Sequence, residues 1–311
     1  MKPQNNIVPN AAQHEGLDAT ALAGNEARVS DYLKQLNQLT LIRHLGLLLI
    51  EAQKHRGTSM AVLEGNDQFE SRVLSEQLVI ARLVEVINHI DPQESLMPEA
   101  MWPGIKDDWQ ALQHHWRDDT VIANFEFHSH FIDRIVKLIW ALAQTADYFS
   151  VVPSPPQADD GNTALAYSAQ NHHTLVKIAF KLMPEMLENI AKLRGLATHA
   201  CVRGYCDNQS QSRFSHLLQS LNLNKESLRK ASRLLQHEAL LAVPSLPSIL
   251  LHEHKLTKLQ TLIDEIAISD RIRVKSLDLF DFATEIIDNY SQIIRDALLA
   301  FQARLECALL K

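Results

Sequence analysis

Apolar residues recur three and four apart through most of this chain, and the stretches that keep that spacing are separated by short runs of Gly, Pro, Asn and Asp. Such a period marks helices with one buried face. The first predicted helix runs from about Asn25 to Leu63, with Val29, Leu33, Leu36, Ile42, Leu45, Leu49 and Ala52 along its apolar stripe. Glu64-Gly65-Asn66-Asp67 closes it, with Gly just past the helix end and Asn and Asp as caps for the next helix. Further helices are predicted over about Gln68–Ile90, Ile105–Arg117 and Val121–Phe149, and the three prolines of Asp91–Gly104 mark a loop. Residues 1 to about 25 are polar, carry Pro3 and Pro9, and are expected to form a flexible arm.

The stretch 151–162, rich in Pro and polar residues, reads as a linker. After it the order of elements returns. A long helix over about Thr163–Arg203 is expected to kink or divide near Met183, before Pro184. A turn at Gly204–Asn208, a helix over about Gln209–Leu240, and a loop with Pro244 and Pro247 follow. Helices over about Ile249–Ile268 and from Val274 onward complete the chain.

Three ordered anchors suggest an internal duplication. Lys54-x-Arg56-Gly57-x-Ser59 faces Lys192-x-Arg194-Gly195-x-Ala197, and Ser71-Arg72-Val73 faces Ser212-Arg213-Phe214. Phe125-Glu126-Phe127 with Ile132-Asp133 faces Phe280-Asp281-Phe282 with Ile287-Asp288. A period this long lies beyond solenoid repeats and reads as a duplicated domain. The expected fold is all-α: two pseudo-symmetric four-helix bundles, 26–150 and 163–311, joined by the linker.

Composition narrows the class. With 46% apolar residues and only nine Gly in 311 residues, a sizeable helical core is affordable. A net charge of −7 without a basic stripe argues against direct nucleic-acid binding. Three cysteines (Cys201, Cys206, Cys307) make no disulfide framework and suit a reducing compartment. The first residues lack the apolar core of a signal peptide, and the apolar runs at Leu45–Ile50 and Ile135–Leu142 are too short or interrupted to span a membrane. A cytoplasmic protein is expected.

The Arg-Gly pairs carry the candidate chemistry. Gly inside a helix costs about 1 kcal/mol relative to Ala, so something must be gained at each site. If a pseudo-two-fold axis relates the halves, Gly57 and Gly195 let the two helices approach and Arg56 and Arg194 converge on one cavity. Thr58, Ser59 and Thr198 would add hydroxyl donors. Two guanidiniums present forked donors to a planar or multi-oxygen anion. The competing expectation is an ordinary buried ion pair between arginine and a bundle carboxylate.

Gln53-Lys-His-Arg56-Gly57-Thr-Ser59, the downstream Phe69 and Gln77, and the second Arg-Gly resemble the nitrate- and nitrite-sensing (NIT) domain, from about residue 27 to the end. The resemblance implies two four-helix bundles that hold nitrate or nitrite through Arg56 and Arg194. Leu196 and Ala197 depart from the pattern, standing where the first copy has Thr58-Ser59. The RNA-binding, membrane or kinase segments that accompany this domain elsewhere are not found, so the expected output passes to an unidentified signalling partner or to a second copy of the chain.

Other groups carry weaker chemical signals. His114-His115, His128-x-His130, His172-His173 and His252-x-His254 lack metal-site spacing and are expected at surfaces or bundle edges. Cys201 and Cys206 read as inert thiols, and Glu126 and Asp281 as structural partners of neighbouring helices. His173 and Lys177 bear a faint likeness to histidine phosphotransfer modules, which gives the alternative function together with a purely structural adaptor. No nucleophile-base pair, phosphate loop, metal cluster or cofactor motif appears, so no enzyme, metal or cofactor is expected.

Overall fold

The computed structural model describes residues 11–92, 95–98, 100–145, 170–235 and 237–309, all helix, turn or loop with no strand among them. The all-α expectation holds. The helices are α1 (Ala11–Leu63), α2 (Glu70–Ile90), α3 (Met101–His115), α4 (Val121–Thr145) and α5 (Met183–Arg203). They continue with α6 (Asn208–Arg233), α7 (His237–Ala242), α8 (Ile249–Ile268) and α9 (Ser276–Leu309). No helix is long and apolar enough to cross a membrane. The expected linker 151–162 lies outside the described residues.

Several boundaries differ from expectation for identifiable reasons. Helix α1 begins at Ala11, so much of the expected arm is helical. Alanines at positions 11, 12, 19, 21 and 23 favour helix despite the polar setting. Val29 and Leu33, assigned to the core stripe, are exposed, and burial begins around Gln35. Helix α3 starts at Met101, inside the expected loop, because Pro103 occupies its first turn, where no intrahelical donor is needed. Residues 170–177 are α-helical and run through a π turn, Ile178–Leu182, into α5. The α-helical run gives way there to the π turn, and α5 resumes at Met183, where the break is expected, with Pro184 in its first turn, where no intrahelical N–H is needed.

The two caps after the Arg-Gly helices form as the sequence suggests. Gly65 adopts φ 92°. Its N–H reaches Val62 O (2.8 Å) and that of Asn66 reaches Ala61 O (2.9 Å), satisfying the last carbonyls of α1. Gly204 adopts φ 78° at the end of α5. Asn66 and Asp207 then cap the following helices through side-chain oxygens that accept from Gln68 N and Ser210 N.

Helix α1 packs on α2 and α4, with α3 laid against α4; α5 packs on α6 and α9, with α8 alongside. The two sets are not separately cored. Helix α1 also packs on α5 and α9, and one buried apolar cluster extends from Leu39 to Leu305 through both. Reciprocal ion pairs tie the sets together at the surface. Arg72 of α2 donates to Asp281 of α9 (2.7 Å), and Arg213 of α6 lies 3.1 Å from Glu126 of α4. The two carboxylates thus have the structural role expected of them.

At the crossing of α1 and α5 the two glycines meet. A Cβ built on Gly195 would stand 3.9 Å from the Cα of Gly57 and 3.4 Å from Met60 Sδ, both ordinary contacts. A Cβ on Gly57 would stand only 2.8 Å from Cε2 of the buried Phe280 ring. The two positions therefore differ in tolerance. Gly57→Ala should lower the unfolding free energy by about 1–2 kcal/mol, an overpacking cost reduced by the gain in helix propensity. Gly195→Ala should leave it unchanged or raise it by up to about 1 kcal/mol. Urea denaturation of both variants checks this, and equal losses would contradict the asymmetry.

Candidate functional site

The glycine crossing places two guanidiniums in the interior, where Arg56 of α1 and Arg194 of α5 are both fully buried. Their surroundings are different. Arg56 Nη1 donates to Glu188 Oε1 (2.6 Å) and to Ser129 Oγ (3.0 Å), while its Nη2 donates to Glu188 Oε2 (3.2 Å). This is a forked, charge-assisted pair, with Phe125 beneath the guanidinium at 5.3 Å. The carboxylate lies on α5, so the pair spans the crossing. Gln53 Nε2 also donates to Glu188 Oε2 (3.0 Å).

Arg194 has no such partner. It donates to two neutral acceptors, Gln53 O (2.6 Å) and Thr284 Oγ1 (2.8 Å), and lies over the Phe280 ring at 4.5 Å. No carboxylate stands within ion-pair distance of it among the described residues. Burial, and after it repulsion from Arg56, pushes its pKa down to about 10 against the opposing pull of Glu76, Asp288 and Glu188. The Nε atoms of both arginines and the hydroxyl of Thr198 are buried without hydrogen-bond partners. Of the two buried cations, only Arg56 has a carboxylate against it among the described residues.

The hydroxyls next to Arg56 serve other contacts. Thr58 Oγ1 donates to Glu76 Oε2 (2.5 Å), and Ser59 Oγ donates to Asn124 Oδ1 (2.8 Å). Of the residues named from sequence, the structure brings together Arg56, Arg194, Gly57 and Gly195, and turns Thr58 and Ser59 toward neighbouring helices. Burial raises Glu76 to about 7, the hydrogen bond from Thr58 and the charge of Arg194 opposing that rise. Near neutral pH it supplies only part of a negative charge.

Sequence reasoning missed Glu188 and Gln53 as partners. Glu188 stands four residues before Lys192, a spacing typical of a solvated surface pair, and nothing in the local pattern marks it as buried. It missed a histidine pair as well. His128 and His172, expected at a surface or bundle edge, are buried, and so is His55. His128 Nδ1 lies 2.8 Å from Asn124 O and so carries its proton there; its Nε2 then accepts from His55 Nδ1 at 2.7 Å. Trp109 and Trp116 pack nearly perpendicular to the His55 ring. His114, His115, His130, His173 and His254 are exposed as expected. Cys201 is partly buried and its thiol is pushed up to about 12 by burial, which keeps it unreactive. No group of His, Cys, Asp or Glu suited to a metal ion occurs among the described residues.

The histidine pair predicts a pH response. Burial lowers His128 to about 3, and burial, followed by the repulsion that protonating both rings would bring, lowers His55. Both stay neutral in the fold while the unfolded chain takes up protons below about 6.5. Stability should therefore be full above that pH and fall as pH drops toward 3, by up to ~1.4 kcal/mol per pH unit for each histidine. Denaturation midpoints across pH 4–8 for the wild type and His128→Gln check this. A variant with the wild-type slope would show that other groups carry the acid response.

Comparison with protein-family models, with curated proteins and with solved structures gives no match.

Proposed function

We propose that the protein is a signal-input receptor for a small monoanion, nitrate or nitrite, bound at the α1–α5 crossing through Arg56 and Arg194. The observation that carries this reading is the charge of Arg194, fully buried and held by neutral acceptors alone. Burying an ion without a partner costs several kcal/mol, and a bound monoanion would remove that cost. The unpartnered Nε atoms and Thr198 hydroxyl are donors that a multi-oxygen anion would satisfy. The resemblance of the first Arg-Gly segment to the NIT domain names the same two arginines and the same ligand class.

A duplicated origin belongs to this proposal, and equivalent contacts support it. Arg56 reaches Ser129 as Arg194 reaches Thr284, and each guanidinium lies over the phenylalanine four residues before that hydroxyl. Arg72 and Arg213, aligned by the repeat, each bridge to an acid of the opposite half. Ligand binding would shift the balance between two settings of α1 and α5, through its different affinity for each. The last helix, α9, packs on both and would carry the change to a signalling partner or to a second copy of the chain. A cytoplasmic location fits this role.

Thermal unfolding in nitrate, nitrite, chloride and sulfate at matched ionic strength tests the proposal. A ligand at a hundredfold excess over its Kd adds about 2.7 kcal/mol to the folded state, which raises the midpoint by a few degrees. Nitrate or nitrite should produce the shift and chloride should not. The shift should vanish in Arg56→Ala and Arg194→Ala and shrink in Arg56→Lys, where the fork is lost. The absence of a selective shift would instead favour a structural adaptor.

A further inference from the structure

Helices α4, α5 and α6 enclose an open cleft of about 370 Å³. Its wall carries Lys192, Arg213 and His216 with Asn189, and its floor includes Phe125 and Ser129. That floor is in contact with Arg56: Ser129 Oγ accepts from Arg56 Nη1 at 3.0 Å, and the Phe125 ring lies 5.3 Å from the guanidinium carbon. The cleft is thus separated from the buried fork by one hydroxyl and one ring.

Glu188 stands between the two. Its Oε1 lies 2.6 Å from Arg56 Nη1 inside and 3.5 Å from Lys192 Nζ on the cleft wall. The Lys192 side chain is 26% exposed and that of Glu188 9%, so one carboxylate is shared by a buried cation and a partly solvated one. What fills the fork of Arg56 is a pair of coplanar oxygens.

We propose, building on the receptor reading, that the cleft admits the anion and that Glu188 is its internal competitor. The carboxylate occupies the Arg56 fork until the ligand takes its place, and then remains with Lys192. The exchange makes and breaks no covalent bond. It leaves each anion opposite a cation, so neither anion is stranded during the swap. It also defines the ligand class: the displacing anion presents two coplanar oxygens at carboxylate-like spacing, as nitrate, nitrite and bicarbonate do and chloride does not. The cations on the cleft wall raise the local concentration of such anions, with Glu126, bound to Arg213, as the opposing charge.

Calorimetric titration of the full chain with sodium nitrate, nitrite and chloride at matched ionic strength tests this. The proteins are the wild type, Glu188→Gln, Glu188→Asp and Lys192→Met, each first checked for helical content by circular dichroism. Removing an internal competitor raises apparent affinity, so Glu188→Gln should bind nitrate or nitrite at least about tenfold more tightly than the wild type. Glu188→Asp should show a smaller gain, and Lys192→Met should bind several-fold more weakly because the displaced carboxylate loses its second cation. Binding by Glu188→Gln with a silent wild type also supports the proposal. A wild type that binds while Glu188→Gln gains nothing overturns the competitor and leaves the receptor standing. If Glu188→Gln fails to fold, unchanged affinity in both other variants overturns it equally. No binding by the wild type or any folded variant overturns the receptor reading itself.

Discussion

Two glycines facing each other set the distance at which α1 and α5 cross, and the polar interior follows from that distance. With a side chain at Gly57 the Phe280 ring would have to move, and that ring is the surface on which Arg194 lies. The close crossing lets Gln53 serve both guanidiniums at once, its carbonyl accepting from Arg194 while its amide holds the carboxylate that pairs with Arg56. Backbone approach and charge placement are one constraint. At this crossing a main-chain carbonyl of α1 lies 2.6 Å from an arginine of α5.

The two arginines have different surroundings because α1 and α5 differ at one telling position. Six residues before Arg194 stands Glu188; six residues before Arg56 stands Ile50. The carboxylate on α5 reaches across the crossing to Arg56, and α1 offers nothing comparable to Arg194. Around this core the remaining polar groups form a second layer. Thr58 holds Glu76, Ser59 holds Asn124, and Asn124 fixes the tautomer of His128. Neutral or partly neutral groups surround the charged pair, keeping water out without supplying a further full charge.

How much of this was legible in the sequence depended on the kind of signal. Gly65 with Asn66, and Gly204 with Asp207, announce turns through their own backbone chemistry, and the caps form where they stand. Arg56-Gly57 and Arg194-Gly195 were conspicuous because a helix interior gives Gly no local reason to be there. Glu188 was invisible since its partner is 132 residues away and its local spacing to Lys192 has an ordinary surface explanation. His55 lay inside the very segment that drew attention, but its pairing with His128 depends on the register of α1 against α4, which periodicity alone does not fix. Pro184 marked the boundary at Met183, but nothing local showed that the turn before it, Ile178–Leu182, widens into a π turn.

The length of α1 gives the crossing a mechanical meaning. The helix is one uninterrupted rod from Ala11 to Leu63, and the glycine contact lies near one end of it. Tyr32 stands 25 residues from Gly57, about 38 Å along the axis, so a rotation of about 5° at the crossing sweeps it through about 3 Å. Beyond it Val29 is exposed, as are its described neighbours from Glu26 to Ser30. On the proposed reading, an exchange within one buried fork would pass along α1 without any hinge, as a small tilt of the whole helix against its neighbours.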